Sequence, residues 1–327
     1  MFYEHMEDEA VRCNLCAHNC VIHNSKRGIC DVRENQEGRL YSLVYGKMAS
    51  LVPDPIEKKP LYHFHPGTQV LSYGTMGCNF KCLFCQNASL SCGDPKSAYL
   101  REITVEEVVK ATRRYDGIAW TYNEPTVGYE FSYDVFRRYK EKDLGYTAYV
   151  TNGYMEKEPL EKIAPYLDAM NIDVKAFSDE FYDKIVGGKL QPVLDTAERA
   201  IELGIHVEIT YLIIPTHNDE NDEIGDLCSW VCKELGEDTP VHYSRFHPDH
   251  NMRDVPATPT DKMIEAKKIA DEFGLNYVYL GNIHSDNDTY CPSCGFDVLS
   301  RGYFSSSRSK LKNGGCPRCG KKIPIIL

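Results

Sequence analysis

The chain has 327 residues, 42% of them hydrophobic and 26% charged, with a net charge of −11. This balance suits a globular protein of one large domain with small appendages, and its sign argues against a nucleic-acid backbone or an acidic membrane as main partner, since both need a positive face. No run of about 18 apolar residues is present and the opening MFYEHMEDEAVRC lacks an apolar signal-peptide stretch, so no membrane span and a cytoplasmic location are expected.

Residues 1–65 form a Cys-rich segment with Cys13, Cys16, Cys20 and Cys30. The chain holds fourteen cysteines, and in a reducing compartment such clusters read as metal ligands rather than disulfides. Four thiolates here suit either zinc or an auxiliary iron–sulfur cluster, with His18 and His23 as substitute ligands.

From 66 to 285 strand and helix patterns alternate. Runs rich in Val, Ile, Tyr and Thr predict strands at 69–75, 117–122, 146–153, 170–176, 206–215, 241–246 and 276–282. Helices are predicted at 104–115, opening on a capping box of Thr104 and Glu107, at 193–204 and at 258–274, the last two ending at glycine. Repeated βα units with short connections imply an α/β fold with a parallel sheet, a full or partial TIM-like (βα)6 barrel. In such folds chemistry gathers where strands end. The polar residues fall there: Asn123 and Glu124 after the second strand, Thr151 and Asn152 after the third, Asp173 and Lys175 at the fourth, His217 after the fifth, and His247 and His250 after the sixth.

Residues 286–327 form a tail in which Cys291-x2-Cys294 and Cys316-x2-Cys319 are each followed by glycine, a zinc-ribbon pattern. Cys228 and Cys232, four apart on a predicted helix, read as core residues, and Cys92 has no obvious partner.

Only Cys78, Cys82 and Cys85, in GTMGCNFKCLFCQN at the exit of the first strand, stop at three ligands. Thiolates suit zinc or iron–sulfur clusters; a zinc site would need a fourth ligand such as His63 or His65, whereas a [4Fe–4S] cluster held by three cysteines keeps one iron open.

This C-x3-C-x2-C loop resembles that of the radical S-adenosylmethionine (SAM) enzymes, in the branch of pyruvate formate-lyase activating enzyme. CNLCAHNC, DPIEKKPLYHF, YNEPT, VTNGY, NIDVKAF, RFHPDHNM, YVYLGNI and the CPxCG pairs resemble most closely the radical SAM member of the AmmeMemoRadiSam system, over nearly the whole chain. The resemblance implies a [4Fe–4S] cluster on Cys78, Cys82 and Cys85. It also implies reductive cleavage of SAM to a 5′-deoxyadenosyl radical, and hydrogen abstraction from an organic substrate. SAM contacts would come from Asn123 and Glu124, standing where relatives carry Gly-Gly-Glu, and from Thr151, Asn152, Asp173 and Lys175, with His217 and His247 as further candidates. A low-potential donor (ferredoxin or flavodoxin) is implied, and a protein substrate, such as a backbone glycine, is suggested. A small molecule, nucleotide or lipid is the alternative substrate. Partners of the Memo and AMMECR types are suggested by association. A non-enzymatic zinc-binding interaction protein is the reading from a different class.

Overall fold

The structure, a computed structural model, describes residues 1–327. Its centre is an eight-stranded sheet: β1 (Ser50–Pro55), β2 (Gln69–Gly74), β3 (Gly117–Trp120), β4 (Tyr146–Thr151), β5 (Ala169–Asp173), β6 (His206–Ile213), β7 (Val241–Arg245) and β8 (Val278–Gly281). The strands lie in chain order across the sheet; β2 to β8 are parallel, and β1 is antiparallel to β2. Strands β1 and β8 each have one neighbour, so the barrel is partial, not closed. Every residue of β3 is buried, as expected of parallel strands covered on both faces.

Helices α1 (Val105–Thr112), α2 (Tyr129–Glu141), α3 (Lys157–Ile163), α4 (Gln191–Glu202), α5 (Asn221–Trp230) and α6 (Thr260–Glu272) fill the crossovers. The expected capping box is formed: Thr104 Oγ1 accepts from Glu107 N at 3.3 Å, and Thr104 N donates to Glu107 Oε2 at 2.8 Å. Cys228 is buried in the core, its Sγ 3.1 Å from Tyr243 Oη. No helix is long and apolar enough to cross a membrane.

The N-terminal segment contributes short strands Tyr3–His5, Val11–Cys13 and Val21–Ile22 and a hairpin of Arg33–Gln36 with Arg39–Ser42. Residues 50–55, grouped by sequence with that segment, instead form the edge strand β1. The chain then crosses beneath the starts of the strands and meets a buried hub. Glu208, fully buried on β6, accepts from Tyr62 N (2.9 Å), His63 N (2.7 Å) and the ring nitrogens of His206 (3.0 Å) and His242 (2.6 Å). The tail closes over the same end, where Arg301 Nη2 donates to Tyr62 O at 2.7 Å and Ile326 N to His63 O at 2.8 Å. With that end plugged, the opposite end, where the strands finish, is left for chemistry.

Candidate functional site

Strand β2 ends at Gly74 and leads into the loop that carries the three cysteines. Gly77 turns it with φ of +90°; a Cβ there would stand 2.6 Å from Val32 Cγ1 and 2.9 Å from Cys30 O, so glycine is required for the approach of the two loops. The far side is tied down by Lys81 N to Val186 O (2.8 Å) and Leu83 N to Ile185 O (3.0 Å).

Cys78, Cys82 and Cys85 line a cavity of about 450 Å³ at the ends of the strands. Asn123, Glu124, Thr151, Asn152, Asp173 and Lys175 line the same cavity. These six lie on three separate strand exits, and the parallel register brings them together. His217 and His247 do not line it. The loop after β6 folds back on itself through Asn218, which accepts from Ile214 N at 2.6 Å and donates to the carbonyls of Lys175 and Leu212, each at 2.8 Å. This leaves His217 half-buried against its own Pro215 carbonyl (2.8 Å) and His247 exposed on the next loop. Asn218 supports the site from behind, a part that its small polar side chain did not reveal in sequence.

Glu124 is buried and accepts four hydrogen bonds. Its Oε1 accepts from Thr126 N (3.0 Å), Thr126 Oγ1 (2.6 Å) and Thr151 Oγ1 (2.7 Å), and its Oε2 from Asn152 N (2.8 Å). Burial pushes its pKa up against the pull of these donors. Asn152 in turn donates to Asn79 Oδ1 at 2.8 Å and approaches Cys78 Sγ at 3.6 Å, and Phe80 N lies 3.4 Å from the same sulfur. Asn123 bridges loops by accepting from Thr75 N (2.9 Å) and donating to Gly77 O (3.0 Å). One network thus fixes the second and third strand exits to the cysteine loop.

Lys175 Nζ pairs with Asp173 Oδ2 at 2.7 Å. Burial acts to lower its pKa, but Asp173 and the nearby Cys82 override this and raise it, so the ammonium is held charged. Burial drives the Cys82 thiol up to about 12, partly offset by Lys175, and takes Cys78 well above its ordinary value. Metal ligation would therefore displace protons from both.

A further group was not singled out in the sequence, although Asp54, Lys58 and Lys59 lie in the string DPIEKKPLYHF and Tyr122 opens YNEPT. Lys58, Lys59 and Tyr122 line the cavity. Asp54 gathers them: it pairs with Lys58 Nζ at 2.7 Å and Lys59 Nζ at 2.8 Å and accepts from Tyr122 Oη. Burial brings Lys59 down to about 8 against the pull of Asp54.

The two four-cysteine sets differ. In the tail, Cys291, Cys294, Cys316 and Cys319 place all their sulfurs within 4.8 Å of one another, with contacts of 3.5 Å (Cys291–Cys319) and 3.7 Å (Cys294–Cys316). They could hold a metal ion. Cys13, Cys16, Cys20 and Cys30 surround a separate cavity and are not drawn together in this way.

Residues 72–228 match the Radical SAM superfamily, and the chain belongs to that superfamily. Within it the chain falls in the branch of the pyruvate formate-lyase activating enzymes. It is 26% identical over 226 residues to the pyruvate formate-lyase-activating enzyme of Clostridium pasteurianum, covering 63% of this chain and 92% of that one. It is 47% identical over 333 residues to an uncharacterized protein of Methanocaldococcus jannaschii, MJ0808, covering 100% of this chain and 99% of the relative. Among solved structures, Streptococcus suis SuiB bound to S-adenosylmethionine shares the fold, with a TM-score of 0.52, 13% identity, and coverage of 66% of this chain and 52% of SuiB. The family implies an enzyme with a [4Fe–4S] cluster and SAM. The donor set fits: three free cysteines on one loop share a cavity with a carboxylate–ammonium pair and leave room beside it.

Proposed function

We propose that this chain is a radical SAM oxidoreductase that abstracts hydrogen from an organic substrate, in the manner of an activating enzyme acting on a glycine of a partner protein. Cys78, Cys82 and Cys85 would hold the [4Fe–4S] cluster. When bound, the cluster and SAM together supply reductive cleavage of a carbon–sulfur bond and a 5′-deoxyadenosyl radical. The protein's own task is to position and enclose. The Lys175 ammonium, kept charged by Asp173, would meet the SAM carboxylate. Glu124 keeps one acceptor position on Oε2 for an ammonium, while Thr151, Asn152 and Asn123 hold that carboxylate and the cysteine loop in register.

The single observation that carries this reading is the convergence of a three-cysteine loop and three separate strand exits on one cavity. The branch membership supports a protein substrate. A small molecule, nucleotide or lipid is the alternative, since fold and cofactor do not determine the substrate. Partners of the Memo and AMMECR types, and a ferredoxin or flavodoxin as donor, belong to the same proposal. In the tail, we assign zinc to Cys291, Cys294, Cys316 and Cys319. A tetrahedral zinc with Zn–S of about 2.3 Å needs sulfurs about 3.8 Å apart, close to the contacts found there.

The test is anaerobic reconstitution followed by dithionite and SAM. We expect brown protein that forms 5′-deoxyadenosine, and a Cys82→Ala variant that forms none. A colourless protein that binds only zinc would refute the enzyme reading. Deuterium transfer into 5′-deoxyadenosine from labelled candidate partners then identifies the substrate.

A further inference from the structure

We propose that Cys13, Cys16, Cys20 and Cys30 hold a second iron–sulfur cluster of the [4Fe–4S] type rather than a zinc ion. This goes beyond the proposed reaction and does not depend on it.

Three observations point the same way. First, all four cysteines line one cavity, closed mainly by Leu15, Ile22 and Val127, so the four thiols face a common space. Second, the four sulfurs are not gathered as a single ion requires. Around a single zinc the sulfurs must crowd to about 3.8 Å, as those of the tail nearly do. The tail set is the one group of three or more Cys, His, Asp or Glu whose ligand atoms lie within 4.8 Å of one another. The N-terminal set is not drawn in, and neither are Cys78, Cys82 and Cys85. A cubane cluster has an iron for each cysteine, so its thiolates stand further apart. By this measure the N-terminal set groups with the loop of the SAM site, not with the tail.

Third, Arg33 lines the cavity at 3% exposure, and its Nε is buried without a hydrogen-bond partner. The rest of its guanidinium is used, with Nη1 and Nη2 on Glu130 at 2.9 and 2.5 Å and Nη2 on Val127 O at 3.3 Å. An orphaned buried donor requires an acceptor. A sulfur of a cluster, which carries negative charge with its four thiolates, supplies one at this wall.

Four cysteine ligands leave no iron open, so this centre does not bind SAM. It does sit against the first site. Asn79, next to Cys78, lines the N-terminal cavity, and its carbonyl lies 2.7 Å from His18 Nε2. The contact of Cys30 O with Gly77 is a second point of approach.

The experiment measures iron, sulfide and zinc per chain after anaerobic reconstitution of three proteins: the wild type, the triple variant Cys78→Ala/Cys82→Ala/Cys85→Ala, and the double variant Cys16→Ser/Cys20→Ser. We expect about eight irons in the wild type and about four in each variant, with about one zinc throughout. The reduced triple variant should give an electron paramagnetic resonance signal of a [4Fe–4S] centre that SAM leaves unchanged. A wild type with about four irons that are all lost in the triple variant overturns the proposal, as does a triple variant with no iron and a second zinc. If circular dichroism shows the triple variant unfolded, the double variant decides: a fall to half the iron supports the second cluster, and an unchanged iron content refutes it.

Discussion

Glu124→Gln separates two functions that the geometry assigns to one carboxylate. A carboxylate has about four acceptor positions. Three donors share Oε1 and only Asn152 N reaches Oε2, so Oε2 has room for one further donor, and Glu124 lines the cavity. In glutamine the amide must take one of the two oxygen positions. Placing it at Oε2 keeps three contacts and sets Asn152 N against a donor. An unsatisfied buried amide costs about 1–3 kcal/mol, and the remaining bonds lose their charge assistance, so we expect about 2–4 kcal/mol of destabilisation. The same change removes the acceptor offered to an ammonium. Losing one charged hydrogen bond, about 1.5–3 kcal/mol, weakens SAM about 10- to 150-fold. The assay is anaerobic calorimetric titration of SAM into cluster-loaded protein without reductant. Thr151→Val is the control: it removes one donor from Oε1 and the acceptor of Gly153 N, costs about 1–3 kcal/mol of stability, and leaves Oε2 untouched. Folded Glu124→Gln protein with wild-type SAM affinity refutes direct contact. Equal weakening in both variants would mean that Glu124 only positions the loops.

Gly77→Ala forces a Cβ to within 2.9 Å of the Cys30 carbonyl at a left-handed φ, at a cost of at least about 1 kcal/mol; we expect iron incorporation to fall while the zinc content stays constant, as measured by metal analysis. Cys291→Ala should lose about one zinc per chain, with iron and 5′-deoxyadenosine formation retained under anaerobic assay. Glu208→Gln breaks the hub beneath the strands and should cost about 2–4 kcal/mol, roughly 3–6 °C in the thermal midpoint. Burial alone would raise the Glu208 pKa, but the hydrogen bonds of His206 and His242 hold it far below the carboxylate range. A depressed folded pKa stabilises above the unfolded value of about 4.3 and loses that contribution as pH falls through and below it. The gap between wild type and Glu208→Gln in scanning calorimetry should therefore narrow as the pH falls below about 4; a gap that widens there would contradict the assignment.

How far the chain could be read depended on whether a feature was local. Strands β2 to β8 were legible because buried parallel strands leave continuous runs of β-branched and aromatic residues between helical periods. Strand β1 was not: SLVPDP carries two prolines and reads as a loop, yet an edge strand tolerates residues that cannot donate. The hub was hidden because Glu208 meets Tyr62 and His63 across about 146 residues of chain. Strand-exit position pointed to one cavity for Asn123, Glu124, Thr151, Asn152, Asp173 and Lys175, which line it and are tied to their strand ends by short backbone paths. It failed for His217 and His247, because the longer loops after β6 and β7 can turn either way, and the buried Asn218 decides the direction of the first. Cysteine spacing has the same limit. It counts ligands, three in one loop and four in each flank, and so separates an open site from closed ones. It carries no information on how wide a closed site is. Spacing between ligands comes from packing: Gly77 admits the Cys30 loop and Arg33 anchors the far wall on Glu130, and the four thiols there are not gathered within 4.8 Å of one another as those of the tail are. Two strings that each supply four cysteines thus differ in how closely the fold gathers their sulfurs.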